Sequence, residues 1–251
     1  MTDFTVKKYE VFLKSLSENN IPVYGICDFI RLKAEKAVIL RHDVDRKPFN
    51  SLKIAKLENK YKIKSTYYFR IVKASFSSGI IQEIKKLGHE IGYHYEDLSL
   101  ANGNIEKALQ LFKNHISKFK KYVEIHTISM HGRPLSKYDN RDLWKVTDFK
   151  KYGIFGEAFL SIDYSNIYYF TDTGGSWKDN SVNLRDKVNT GLKADIKNTD
   201  ELINFILSNK DVRIAIVTHP ERWADSFFEY VINRLKDTSV NFIKRILKMI
   251  R

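Results

Sequence analysis

Asp43-Val44-Asp45 closes a short apolar run, Ala37 to Leu40, whose aliphatic residues read as a buried strand. Side chains alternate along a strand, so Asp43 and Asp45 leave the same face about 7 Å apart while Val44 packs on the other. Two carboxylates at the rim of a core repel each other and stay ionised only if a cation or hydrogen-bond donors compensate. A divalent metal is one compensation. The alternative makes them turn or N-cap aspartates before the next helix, with Asp45 and Pro48 marking the loop. Three histidines take comparable positions. His94 ends the run His89 to His94, His131 follows Val123 to Met130, and His219 follows Val212 to Thr218 and precedes Pro220. A neutral imidazole suits zinc and its neighbours, so His94 and His131 join Asp45 as candidate metal ligands. His219, with an ordinary pKa of about 6.5, suits a general acid, or else is a loop histidine held by the proline turn. His89 falls on the opposite face of its strand and reads as structural. His42, His115 and His126 show no comparable placement.

A further cluster is Asp172-Thr173-Gly174-Gly175-Ser176-Trp177. An acid beside a tryptophan holds a sugar ring by hydrogen bonds and stacking, and it equally pins a loop to a core. Asp172 and Trp177 are therefore candidate substrate-binding residues. The paired glycines lack the following Lys-Ser/Thr of a phosphate loop.

The elements that must position these groups alternate in type. After Ala37 to Leu40, the spacing predicts a helix over Phe49 to Tyr61 and a strand over Ser65 to Val72. A helix over Ile80 to Leu87 stops at Gly88, and His89 to Tyr95 is a strand. A helix over Ile105 to Phe119 precedes the strand Val123 to Met130. Strands over Gly156 to Asp163 and Ile167 to Asp172, a helix over Thr199 to Ser208 and a strand over Val212 to Thr218 follow. From Trp223 to Arg251 the pattern is helical. Such alternation predicts βα units and a largely parallel sheet of about seven strands. That number fits a barrel or an open doubly wound sheet, and acids and histidines recur where strands end, which is where α/β barrels assemble active sites, so the barrel is favoured. No linker or repeat divides residues 1–251. One domain is expected, with 224–251 a helical segment packed on the barrel.

Composition narrows the chemistry. Of 251 residues, 43% are hydrophobic and 29% charged, an ordinary globular balance. Cys27 is the only cysteine, which excludes an internal disulfide and a cysteine-based zinc site. The N-terminus lacks the apolar core of a signal peptide and no apolar run approaches the ~20 residues of a membrane span, so a cytoplasmic protein is expected. The net charge of +13 attracts polyanions, yet the basic residues are spread along the chain. No helix-turn-helix, RNA-binding aromatic signature or basic arm supports nucleic acid as a partner. Val240 to Arg251 places Ile243, Ile246, Leu247 and Ile250 on one face and Lys244, Arg245, Lys248 and Arg251 elsewhere. Such a helix packs on a barrel or makes peripheral contact with an anionic membrane surface.

Taken in order, these residues resemble the polysaccharide deacetylases (carbohydrate esterase family four, with allantoinase-like relatives). Arg41-His42-Asp43-Val44-Asp45 is similar to Asp-x-Asp variants of that family's opening motif. Gly88-His89-Glu90-Ile91-Gly92-Tyr93-His94 matches its Gly-His-Glu-Ile-Gly-x-His segment, the most specific of the matches. Arg133-Pro134 is similar to its Arg-Pro motif, Asp172 and Trp177 loosely to its Asp/Trp motif, and Thr218-His219-Pro220 to its last, histidine-bearing one. The resemblance spans residues 37–223. It implies a distorted (β/α) barrel and a metal-dependent hydrolase that removes an acetyl group, or cleaves a related C–N bond, on a sugar. Asp43 would then be the general base, with Arg133 orienting it. Asp45 and His94 would hold a divalent metal, zinc foremost, and His219 would be the general acid.

One departure stands out. Where the family places a second histidine, four residues after the first, this chain has Leu98. His131 is the expected replacement, with Glu96 or Asp97 as second choice. If none serves, the chain is a catalytically silent carbohydrate-binding relative. The stretch Met130 to Pro134, followed by Asp139-Asn140-Arg141, resembles an intracellular branch. That branch would act on lipid-linked or nucleotide-linked acetylated saccharides in surface-polysaccharide assembly.

Overall fold

The computed structural model describes residues 2–133, 136–177, 188–235 and 238. Its centre is strand β2, Ala37–Val44, in which every residue is buried. A strand covered on both faces must be apolar or internally paired throughout, and it belongs in a parallel sheet. The pairing agrees. With β1 at Val23–Tyr24, β3 at Thr66–Phe69, β4 at Glu90–Tyr95, β5 at Thr127–Met130, β6 at Gly156–Glu157, β7 at Ile167–Thr171 and β8 at Arg213–Thr218, the order is β6-β5-β4-β3-β2-β8-β7. Every pairing among them is parallel. Short β1 lies beside the first half of β2, leaving Arg41 to Val44 to pair with β3.

The sheet curls into an open, distorted barrel with β6 and β7 as its edges. The fold is α/β and single-domain. Alternation along β2 sorts its side chains between two apolar layers. Ala37 and Ile39 join Tyr68, Tyr169, Ala215 and Val217 inside the curl. Val38, Leu40 and Val44 face outward, against helices α1 (Val6–Glu18), α3 (Pro48–Lys60), α4 (Ser78–Lys86) and α6 (Ile105–Lys120). Gly92 is what admits Tyr68 to the interior, since a Cβ at that position would run into the Tyr68 ring. Gly88, at φ 87°, takes the left-handed turn that closes α4.

Three differences from the sequence reading have local causes. The N-terminal segment forms α1, capped by Thr5, whose Oγ1 accepts the Lys8 amide, and it buries Tyr9, Phe12, Leu13 and Leu16 at helical spacing. The expected strand over Gly156 to Asp163 stops at Glu157. There the Glu157 carboxylate captures the amides of Phe159 (2.6 Å) and Leu160 (2.8 Å) and turns the chain. The strand expected from Val123 begins only at Thr127, where β5 first pairs with β6 opposite Gly156.

Helix α5 (Asp97–Leu100) follows β4, α7 (Thr199–Ser208) packs on α1, and residues 227–235 form a last helical segment. Asn233 of that segment donates to the Glu221 carbonyl at 3.0 Å. Val240 to Arg251 lies outside the described residues. Among the described residues, no helix is long and apolar enough to cross a membrane.

Candidate metal centre and its acid–base neighbours

Parallel strands present their C-terminal ends at one rim, and the chemistry-bearing residues gather there. Asp43 lies near the end of β2 with Asp45 just beyond it, His94 is the last residue but one of β4, and His131 and His219 follow β5 and β8. Asp45 Oδ1 lies 3.5 Å from His131 Nε2 and 3.8 Å from His94 Nε2. One ligand atom from each of Asp45, His94 and His131 falls within 4.8 Å of the others.

Both histidines are held from behind. His94 Nδ1 donates to the Ser129 carbonyl at 3.0 Å, which leaves Nε2 as the lone-pair nitrogen facing Asp45. His131 Nδ1 contacts Glu96 Oε2 at 3.1 Å, and Arg70 grips the other Glu96 oxygen at 2.7 Å. Metal-ligating histidines are oriented in this way by outer partners. Burial pushes the His94 imidazole down to about 4, so it is neutral and able to ligate at physiological pH. Burial alone would raise the Asp45 carboxyl, but His131, His94 and His219 outweigh it and hold the group well below its ordinary value. Asp45 Oδ1 and Asp43 Oδ1 are nevertheless buried without a hydrogen-bond partner. A buried carboxylate oxygen left unpaired is costly, and a cation between Asp45, His94 and His131 would supply what it lacks. The donor set fits a divalent metal.

Asp43 stands beside the cluster, its Oδ2 3.8 Å from His94 Nε2. The arginine that holds it is Arg41, whose Nη2 donates to Oδ2 at 2.9 Å, and both side chains are buried. Burial would raise the Asp43 carboxyl, yet Arg41, then His94, keep it below its ordinary value. Arg133, expected in this role, is exposed and lines a separate cavity, and Pro134 lies outside the described residues. The expectation is corrected for a simple reason. Alternation places Arg41, Asp43 and Asp45 on one strand face, whereas Arg133 sits beyond β5 where the chain has left the sheet. The same alternation could have identified Arg41.

Across the mouth, His219 Nδ1 meets Asp172 Oδ1 at 2.6 Å, while Asp172 Oδ2 accepts the His219 amide (3.0 Å) and Trp223 Nε1 (3.1 Å). Burial would lower the His219 imidazole, but Asp172 outweighs it and raises it to about 9. The ring is therefore cationic at neutral pH, with Nε2–H left to give. Asp172 is wholly buried beneath His219 and holds that ring, so it offers no edge to a sugar. Trp177 does not offer a sugar platform either. It is buried against Phe4 and Trp223, and its Nε1 donates to Thr199 Oγ1 at 3.0 Å.

Of the alternative third ligands, Glu96 orients His131, and Asp97 is taken up by Tyr93 and by His115 Nδ1 at 2.7 Å. Leu98 is buried in the apolar layer. One residue that no sequence pattern marks is Glu221. It is buried, its Oε2 lacks a partner, and burial followed by the nearby Asp45 pushes its carboxyl up to about 7.

Fold and site together define a parallel α/β half-barrel carrying a two-histidine, one-carboxylate cluster and a charged histidine at its C-terminal rim. No family model matches the chain, and no curated protein matches it. Among solved structures, it is similar to the crystal structure of a mutant CE4 family pseudoenzyme with restored enzymatic activity. The TM-score is 0.44 at 14% identity, covering 82% of this chain and 63% of that one. The chain thus spans less than two-thirds of that protein's length.

Proposed function

We propose that this chain is a divalent-metal-dependent hydrolase that removes an acyl group, acetyl foremost, from an amino group on a sugar. The proposal extends to a cytoplasmic protein acting on lipid-linked or nucleotide-linked saccharides during surface-polysaccharide assembly, an extension that rests on motif resemblance alone. The observation that carries the hydrolase reading is the pairing of two imidazoles, each fixed through Nδ1, with the unsatisfied, buried Asp45 Oδ1.

Two nitrogens and one carboxylate are the donors that zinc takes in catalytic sites with an open position. A divalent cation held there would supply Lewis-acid activation of water and of the acyl carbonyl. Asp43, ionised and with Oδ1 unpartnered, accepts the proton as a water oxygen attacks the carbonyl carbon. Arg41 keeps that carboxylate charged and fixed. The C–N bond then breaks as His219 gives its Nε2 proton to the departing amine, leaving a free amine and a carboxylate. Asp172 keeps His219 protonated until that step.

Elemental mass spectrometry of the purified protein tests the reading, for wild type, His94→Ala and His131→Ala. Near-stoichiometric metal in wild type that both substitutions remove, with release of acetate from N-acetylated sugars, is the expected result. No metal after incubation with zinc would overturn it in favour of the silent carbohydrate-binding relative.

A further inference from the structure

Arg133 does not touch Asp43, and its actual surroundings suggest another use. It lines a cavity of about 660 Å³ together with Ser99, Leu100, Asn102, Ser136, Lys137 and Tyr138. This cavity adjoins the metal centre. Asn140 accepts the Ser99 amide at 2.9 Å and donates to the His131 carbonyl at 2.9 Å, and the Arg133 amide donates to the same carbonyl. Its walls therefore leave the rim two residues after His131 and three after Glu96.

Its charge is one-sided. Two cations line it and no acid does. The neighbouring carboxylates are already engaged: Glu96 with Arg70 and His131, Asp97 with His115 and Tyr93, and Asp139 with Arg141. Among the described residues neither Arg133 nor Lys137 forms an ion pair. Ser99 lines the same wall, and its buried Oγ has no hydrogen-bond partner. Tyr138 closes one side, its ring packed where a side chain at Gly103 would otherwise stand. A guanidinium and an ammonium around one cavity, with no acid beside them, are the donors that bind phosphate.

We propose that this cavity is a phosphate-binding subsite. Resting on the hydrolase reading, it assigns the substrate a phosphate group on the side of the reacting sugar that faces the β5 loop. The cavity exceeds what a lone phosphate fills, so a phosphate carried on a larger group fits it.

The test is binding, which needs no turnover. Full-length protein, stripped of metal with a chelator so that phosphate cannot coordinate a metal ion held by Asp45, His94 and His131, is titrated calorimetrically with UDP. In parallel it is sedimented with phosphatidylglycerol vesicles. Saturable UDP binding is expected, weakened about tenfold or more by Arg133→Gln/Lys137→Gln. Lys56→Gln/Lys121→Gln removes the same charge from exposed sites and should bind as wild type. Binding to vesicles alone, lost in the first double variant, would assign the phosphate to a lipid headgroup instead of a soluble nucleotide. Equal affinities in both double variants, or no saturable binding to either probe, overturns the subsite. If UDP binds as expected but the protein holds no metal and releases no acetate, the subsite stands and the hydrolase falls.

Discussion

Two clusters of carboxylate and histidine lie on opposite faces of the same strands, and their contrast separates structure from function. On the outer face Glu58 is saturated. Its Oε1 accepts Tyr9 Oη (2.6 Å) and pairs with His42 Nε2 (2.8 Å), and its Oε2 accepts Ser65 Oγ (2.6 Å) and Tyr67 Oη (2.7 Å). His42 in turn meets Thr218 Oγ1 at 2.6 Å. Burial would raise the Glu58 carboxyl, but His42 and His89 help bring it to about 2. At the mouth, Asp43 Oδ1, Asp45 Oδ1 and Glu221 Oε2 are buried with nothing to accept from. His42 precedes Asp43 and Thr218 precedes His219, so a single step along each strand passes from the saturated cluster to the unsatisfied one. Residue type does not distinguish them; unmet bonding capacity does.

The largest effect that would sharpen this contrast is on turnover. Asp43→Asn or His219→Gln should lower the rate of acetate release by about 10²–10⁴. Full activity in either variant would remove that residue from the mechanism. Stability should respond unequally between the clusters. Glu58→Ala leaves buried hydroxyls and His42 without their acceptor and should cost about 3–5 kcal/mol in denaturant unfolding. In metal-free protein, where no binding energy is lost with the ligand, Asp45→Asn removes no hydrogen bond from Oδ1 and should cost clearly less. Comparable losses would erase the distinction between the two clusters.

A smaller effect follows pH. His219 is raised to about 9 from an ordinary value of about 6.5, so its pairing with Asp172 stabilises fully below the lower value. That contribution, at most about 3 kcal/mol, is lost as pH rises through the upper value. Unfolding free energies measured across this window should fall in wild type and stay flatter in His219→Gln. The smallest effect concerns the departure at Leu98. Leu98→His places an imidazole in the apolar layer, so it should cost about 1–3 kcal/mol without raising metal content. A gain in bound metal would show that this position does reach the centre.

Much of the site was legible because strand geometry is local. Period-two alternation put Asp43 and Asp45 on one face, and the repeated placement of acids and histidines at strand ends implied a shared rim. The same placement marks His131 as a candidate, although its approach to Asp45 depends on β4 and β5 lying side by side. What misled was identity read without surroundings. Arg133 has the right side chain for Asp43 but stands beyond the sheet, and Trp177 and Asp172 serve Thr199 and His219 instead of a sugar.

By itself, then, the sequence determined the βα alternation, the strand-end placement of Asp43, Asp45, His94 and His219, and the absence of cysteine ligands. Those features depend on a few consecutive side chains and the pleat of one strand. Only the tertiary structure decided which arginine holds Asp43, that Asp172 charges His219, that Glu96 orients His131, and that Glu58 is satisfied while Asp45 is not. Each of these joins residues far apart in the chain or depends on counting every hydrogen bond around a buried oxygen. Such a count exists only once neighbouring strands are paired and water has been excluded.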